Sequence, residues 1–112
     1  MESIDATNQL AALAQESRLA VFRLLVQHGE AGLTVGRIAE SLGLANATLS
    51  FHLKTLAQAG LILPRQEGRF IYYVANYAQM NALIAFLTEN CCAGEPCGVN
   101  ATSNRCCPEN TL

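Results

Sequence analysis

The segment TVGRIAESLGLANATLSFHLKTLAQAG, which runs from Thr34 to Gly60, decides the fold of this chain. Its first part has apolar residues at helical spacing, and Thr34 is a good N-cap for that helix. Gly43 then breaks the pattern, and a second helix follows with leucines at positions 49, 53 and 56, spaced i, i+4, i+7. A short helix, a tight glycine turn and a second amphipathic helix together predict a helix-turn-helix.

The sequence on either side of this segment predicts further helices and a hairpin. Upstream, residues 8–14 have a short helical pattern, and Ser17 is a candidate N-cap for a second helix that Gly29 ends in the left-handed conformation. Downstream, the β-branched and aromatic runs 61–63 and 70–74 flank a glycine-containing loop and predict a β-hairpin. Residues 77–89 return to helical spacing. The predicted fold is therefore mainly α with a β-hairpin wing, a winged helix-turn-helix.

Composition and charge limit the classes of function to consider. With 112 residues, 51% hydrophobic and 14% charged, the chain is expected to form one packed domain over residues 1–90. The high apolar fraction favours a partner surface, most simply that of a homodimer. A net charge of −2 argues against a wholesale polyelectrolyte binder, although a few cations on one face can still attract nucleic acid. Without a signal pattern or a long apolar stretch, we expect a cytoplasmic protein and no membrane partner.

The order of helix, turn, helix and basic hairpin suits duplex DNA. The second helix of the pair can lie in the major groove, while the hairpin reaches adjacent phosphates or the minor groove. Because the leucines face the core, the opposite side of that helix offers contacts to DNA, and Phe51 in particular offers an apolar contact to thymine methyls. The candidate DNA-binding residues are Asn46, Ala47, Thr48, Ser50, Phe51, Lys54, Arg65 and Arg69.

Several of these residues have a second interpretation. Asn46 is as good a candidate for the N-cap of its helix as for a DNA contact. Lys54, Arg65 and Arg69 are candidate phosphate contacts, yet the two arginines also fit solubilising charges on an exposed hairpin. His52 lies near the leucine stripe and is more readily a packed or hydrogen-bonded histidine than a base reader. The order of the elements is a stronger indication than any single residue.

All the cysteines of the chain lie between residues 91 and 112, which are expected to form a loose, flexible C-terminal tail. Clustered thiols in a reducing compartment more often bind metals or sense oxidants than form disulfides. Three thiolates suit a soft thiophilic ion, and trivalent arsenic takes three sulfurs in a pyramid. Two adjacent thiols and a third brought back by a short loop supply such a set. The candidate ligands are Cys91, Cys92 and Cys97, with Cys106 and Cys107 as possible additions.

The segments SFHLKTLAQAGLI, Ser50 to Ile62, and RQEGRFIYY, Arg65 to Tyr73, resemble the signature of the ArsR/SmtB family of metal-responsive repressors. The resemblance covers roughly residues 8–90. It implies a homodimeric winged helix-turn-helix that represses its own operon by binding double-stranded operator DNA. It also implies that the first and last helices form the dimer interface, and that a metal or metalloid releases the DNA.

The sensing site departs from the usual pattern of the family. Many arsenic-responsive members carry Cys-x-Cys in the first helix of the helix-turn-helix, but residues 34–42 contain no cysteine. The zinc ligands of other members are poorly matched, since residues 77–89 contain no His or Asp. Some arsenic-responsive members place a Cys-Cys pair and a third Cys just after the last helix. The resemblance therefore supports Cys91, Cys92 and Cys97 as the ligands of As(III) or Sb(III), and the bound metalloid would be the inducer.

Other functions stay open at this point. Five thiols also suit a four-sulfur site for Cd(II), Pb(II) or Zn(II), and a thiol-based redox sensor is another possibility. A thiol-rich metal buffer on a winged-helix scaffold would bind metal without reading DNA. We expect neither an enzyme nor an organic cofactor, because there is no Cys-x-x-Cys in a βαβ context and no acid–base pair near the thiols.

Overall fold

Five α-helices and a small sheet make up residues 1–90, the part of the chain that this computed structural model describes. The predicted tail, residues 91–112, lies outside the described residues. None of the helices in residues 1–90 is long and apolar enough to cross a membrane. The helices are α1 (Ser3–Leu13), α2 (Glu16–His28), α3 (Val35–Leu42), α4 (Asn46–Gln58) and α5 (Tyr77–Leu87), and the strands are β1 (Leu33–Thr34), β2 (Ile62–Glu67) and β3 (Phe70–Ala75).

The helix-turn-helix of α3 and α4 is set by local sequence. Thr34 is the N-cap of α3, as predicted, and its hydroxyl oxygen accepts a hydrogen bond from the backbone N–H of Arg37 at 3.3 Å. Gly43 ends α3 in the left-handed conformation, with φ 67° and ψ 35°. This geometry is easy for glycine and strained for other residues, so the turn between the helices is specified by one position.

The ends of α2 differ from the prediction. Gln15, rather than Ser17, caps the helix, and its side-chain oxygen accepts from the backbone N–H of Arg18 at 2.9 Å. Ser17 lies inside the first turn, because α2 begins at Glu16. At the other end, Gly29 has φ 70° but ψ −155°, so it does not close the helix in the left-handed conformation. Instead, the chain continues into a 3-10 turn, Gly29–Ala31.

The core lies between α2, α3, α4 and the base of the hairpin. The three leucines of α4 that the spacing places inside are 0–1% exposed. Each such side chain contributes about 1.5–3 kcal/mol when it is fully buried, so the core fixes which side of α4 faces outward. The largest fully buried side chains are Leu25, Ile38, Leu49, Leu53, Leu56, Leu61, Ile62 and Val21.

The sheet is antiparallel with the order β1-β3-β2. The predicted hairpin is confirmed, but its strands run further than expected: β2 extends through Pro64 to Glu67, and only Gly68 and Arg69 form the turn. Gly68 has a positive φ of 63°, which permits this tight connection. Strand β1 was missed because two residues are too short for a periodic signal. With it, the architecture is that of a winged helix-turn-helix.

Candidate nucleic-acid interface

Helix α4 has a buried face and an exposed face along its whole length. Its leucine side packs into the core, and Phe51 on the opposite side is 67% exposed. The six candidate residues that the sequence places on this helix are all exposed. The helix therefore presents amide, hydroxyl, aromatic and ammonium groups to solvent. These residues are Asn46, Ala47, Thr48, Ser50, Phe51 and Lys54.

Asn46 is the first residue of α4 and not its cap. Ala45 holds the N-cap position with extended backbone, φ −70° and ψ 144°, and no side-chain hydrogen bond caps the helix. The N-cap interpretation of Asn46 is therefore wrong, since the helix begins one residue too early for it. Backbone N–H groups in the first turn of a helix lack intrahelical partners and suit an anionic oxygen. The Asn46 amide lies exposed beside them.

His52 is half-buried on the side of α4 between the two faces. Its Nδ1 is inaccessible to solvent and has no hydrogen-bond partner among residues 1–90. The ring lies 6.3 Å from that of Phe51, edge to face. This position agrees with the packed interpretation of His52 and leaves Phe51 as the outward-facing ring of the pair.

The wing, defined here as β2, β3 and their turn, carries its two predicted cations in different settings. Arg69 lies exposed in the turn, next to Phe70, which is 60% exposed. Arg65 lies in the middle of β2, opposite Tyr72 in the register. The turn therefore presents one cation to solvent, and the strand holds the other against the body of the protein.

Arg65 contacts its own chain through most of its guanidinium group. Nη1 donates to the carbonyl oxygen of Glu30 at 2.6 Å, and Nη2 donates to that of Ala31 at 2.9 Å. Nε lies 2.8 Å from Oε2 of Glu67. The central carbon of the guanidinium is 5.5 Å from the centre of the Tyr72 ring, a distance typical of a cation–π contact. A phosphate would have to compete with these partners.

Arg37 is a further cation on the helix-turn-helix, and it is not among the residues that the sequence indicated. It lies on α3, its side chain is 72% exposed, and its Nε is 4.0 Å from Oε1 of Glu40. An exposed pair at this distance contributes little to stability, so the guanidinium can change partners at low cost. Spacing alone did not indicate it, because a single arginine on the outer side of a helix is an ordinary solvated residue.

The first predicted thiol ligand, Cys91, follows the last helix after three residues. Helix α5 ends at Leu87, and the Thr88 hydroxyl donates back to the carbonyl oxygen of Ile84 at 2.9 Å. Asn90 has a positive φ of 59°, so the helical path has ended there. Within residues 1–90, no group of three His, Cys, Asp or Glu side chains could hold a metal ion. The thiols themselves lie outside the described residues: Cys91, Cys92, Cys97, Cys106 and Cys107.

Known proteins with similar sequences are transcriptional regulators. Residues 13–65 match a family described as "Helix-turn-helix domain". The chain is 41% identical over 61 residues to the uncharacterized HTH-type transcriptional regulator YceK of Bacillus subtilis (strain 168), an alignment that covers 54% of this chain and 60% of YceK. It is 35% identical over 81 residues to the arsenical resistance operon repressor of the same organism, covering 72% and 73%. It is 32% identical over 85 residues to the transcriptional activator HlyU of Vibrio cholerae, covering 76% of each.

Solved structures with similar folds belong to the same group. An ArsR-like transcriptional regulator from Rhodococcus sp. RHA1 superposes with a TM-score of 0.69 at 26% identity, covering 78% of each chain. The homodimeric winged helix-turn-helix DNA-binding domain of Mb0332 from Mycobacterium bovis, a possible ArsR-family regulator, gives 0.61 at 30% identity, covering 77% of this chain and 80% of the other. The shared region spans most of residues 1–90.

Proposed function

Because this chain belongs to the ArsR/SmtB family of winged helix-turn-helix DNA-binding regulators, a family of transcription factors and not of enzymes, we propose that it is a repressor that binds operator DNA as a homodimer. The observation that carries the proposal is the exposed polar face of α4, opposite three leucines that are 0–1% exposed. Repression is part of the proposal, since one relative is a repressor by name and another an activator.

In this proposal α4 lies in the major groove, which is wide enough for an α-helix. The Asn46 amide and the Ser50 hydroxyl contact base edges, and the first-turn backbone N–H groups contact a phosphate. Phe51 packs against thymine methyl groups. Lys54 on α4 and Arg69 in the turn of the wing contact phosphates, which position the helix without reading sequence. Ala47 and Thr48, which are also exposed in the first turn of α4, complete the proposed contact surface.

The homodimer is proposed to form through α1 and α5, which pack against each other in the monomer. Apolar side chains on these helices are left exposed: Ile4 68%, Leu10 43% and Leu87 57%. A second copy of the chain is the simplest cover for this surface, and the Mb0332 domain is homodimeric. The twofold axis would place the two α4 helices about 34 Å apart, one turn of DNA.

DNA binding is tested by fluorescence anisotropy with a duplex from the promoter of this protein's own gene. We expect Lys54→Ala to weaken binding and to lower the dependence of affinity on salt, because each subunit then neutralises one phosphate fewer. Arg23→Ala is the matched control, since Arg23 is an exposed cation on α2, outside the helix-turn-helix. Equal effects of the two substitutions would show that α4 is not the contact surface.

We propose further that As(III) or Sb(III) is the inducer and that Cys91, Cys92 and Cys97 bind it. Three soft thiolates in the segment that follows α5, and an arsenical resistance repressor among the relatives, support this choice. Ligation that clamps the segment after α5 changes the packing of a dimer helix. A coupling free energy of about 1–3 kcal/mol between inducer and DNA, typical of allosteric coupling, lowers operator affinity about 5–150-fold.

A buried amide gives this coupling a physical route to α4. Gln9 of α1 is 3% exposed. Its Nε2 donates to Oε1 of Gln79 on α5 at 2.8 Å and to the carbonyl oxygen of Ala59, at the end of α4, at 3.3 Å. Asn76, the N-cap of α5, donates through Nδ2 to the carbonyl oxygen of Gly60 at 2.9 Å. A shift of α5 would therefore disturb the hydrogen bonds to the carbonyl oxygens of Ala59 and Gly60, at the end of α4.

The inducer is tested by titrating arsenite into the complex of protein and promoter duplex. Wild-type protein should leave the DNA, and the serine variants of Cys91, Cys92 and Cys97 should stay bound. Cys106→Ser/Cys107→Ser is the matched control and should respond like wild type. Release by Cd(II) or Pb(II) and not by arsenite would favour a four-sulfur metal site, and release by peroxide alone would favour a redox sensor.

A further inference from the structure

The side chain of Arg65 joins the middle of β2 to the connection between α2 and β1. Its guanidinium spans about 35 residues of sequence to reach the carbonyl oxygens of Glu30 and Ala31, which belong to the 3-10 turn. The same group holds Glu67 by an ion pair at 2.8 Å and lies over the ring of Tyr72. Four partners from three segments therefore meet at one planar cation.

The backbone conformation of the connection places the carbonyl groups of Glu30 and Ala31 within reach of Arg65. Gly29, the first residue of the turn, and Gly32, the residue after it, have φ of 70° and 71°, values that side-chain-bearing residues rarely adopt. Gly32 also passes so close to β3 that a Cβ would lie 2.8 Å from the Tyr73 carbonyl oxygen and 2.8 Å from Cγ1 of Val74. The turn is thus pressed against the sheet on one side and bonded to Arg65 on the other.

We propose that Arg65 is a positioning residue, which fixes the angle of the wing relative to the helix-turn-helix and does not bind a phosphate. Only the expected effect of Arg65 on DNA affinity rests on the proposed DNA-binding function, since the hydrogen bonds of Arg65 exist in the free protein. Arginine is suited to the task because its planar fork donates to several acceptors at once, which lysine does not. The carboxylate of Glu67 also offsets the positive charge with which Arg65 would attract a phosphate.

Positioning and phosphate binding predict different dependences on salt. Each phosphate contact adds about 0.9 to the slope of log affinity against log salt concentration. Removal of a positioning residue instead weakens binding by the same factor at every salt concentration. Arg69 is the matched comparison, because it lies on the same hairpin and is exposed in the turn.

The test has two arms, both with the full-length protein. In the first, hydrogen exchange of residues 62–75 is measured without DNA for Arg65→Ala, Arg65→Lys and Arg69→Ala. We expect both Arg65 variants to raise exchange of the wing amides by roughly tenfold, and Arg69→Ala to leave it unchanged. Unchanged exchange in the Arg65 variants overturns the inference, whatever the DNA result.

In the second arm, anisotropy with the promoter duplex is measured over about 50–200 mM salt. Both Arg65 variants should bind more weakly with the wild-type slope, whereas Arg69→Ala should lower the slope by about 0.9 for each phosphate that the variant no longer binds. A slope that falls equally in Arg65→Ala and Arg69→Ala, or wild-type affinity in Arg65→Lys, overturns the inference. If wild-type protein does not prefer the promoter duplex, the proposed function fails, and the exchange arm alone decides the role of Arg65.

Discussion

Replacement of Gly32 by alanine should destabilise the protein more than the same replacement at Gly29. Both glycines have φ near 70° with extended ψ, −179° and −155°, a region that costs a side-chain-bearing residue about 1–3 kcal/mol. At Gly29 a Cβ meets no atom within 4 Å, so this strain is the whole cost. At Gly32 the new Cβ lies 2.8 Å from the Tyr73 carbonyl oxygen and from Cγ1 of Val74.

The close approach to the Tyr73 carbonyl sets the magnitude. Tyr73 pairs with Leu33 in the sheet, so its carbonyl cannot move without disturbing the ladder between β1 and β3. Overpacking of this kind costs about 1–3 kcal/mol, which gives about 2–6 kcal/mol for Gly32→Ala against about 1–3 for Gly29→Ala. The difference between the two variants, about 1–3 kcal/mol, isolates the close approach from the strain of positive φ.

The free energy of unfolding is measured in urea by circular dichroism, at one protein concentration because a dimer is expected. A Val74→Ala background removes Cγ1 and leaves the Tyr73 carbonyl, so it should recover only part of the difference. If Gly29→Ala and Gly32→Ala agree to within about 0.5 kcal/mol, the approach to β3 is not what requires glycine at position 32. If both match wild type, the strain argument also fails.

Further predictions concern α4 and the dimer. Leu53→Ala, at a side chain 1% exposed, should cost about 2–5 kcal/mol in urea unfolding, whereas Phe51→Ala, at 67%, should stay within about 0.5; similar costs would contradict the two-faced helix. Wild-type protein should bind a promoter duplex with uracil in place of thymine more weakly than the normal duplex, and Phe51→Ala should bind the two duplexes alike. If Phe51→Ala prefers the thymine duplex as strongly as wild type does, the methyl contact is excluded. Leu10→Asp should raise the monomer fraction in sedimentation velocity, whereas Leu63→Asp on the wing should not, and an unchanged fraction in Leu10→Asp would place the interface elsewhere.

The helix-turn-helix was predictable because its signals are local. Thr34, Gly43 and the leucine spacing of α4 each act within a few residues, and the structure has all three where the sequence places them. The N-cap of α2 was not predictable in the same way, since Gln15 and Ser17 lie two residues apart at the start of one helical pattern, and only the structure shows Gln15 accepting from the backbone N–H of Arg18. Strand β1 exists only because β3 is beside it, so its two residues carry no signal of their own.

The candidate site was predictable to the same extent. Once the leucines of α4 are buried, Phe51 on the opposite side is exposed, and the structure leaves all six candidates on the helix exposed. The setting of Arg65 was not predictable, because its carbonyl partners lie 34 and 35 residues away in sequence. The thiol ligands stay a prediction, because they lie outside the described residues.

The most direct test of the central claim, that the exposed face of α4 reads operator DNA, is the ratio of affinities for the promoter duplex and a shuffled duplex of equal composition. Wild-type protein should prefer the promoter by about 10³-fold or more at physiological salt. An Asn46→Ala/Ser50→Ala/Phe51→Ala variant should lose most of this ratio while it keeps the wild-type unfolding midpoint, because its three side chains are exposed. A wild-type ratio near one, or a ratio that survives the triple substitution, would contradict the account.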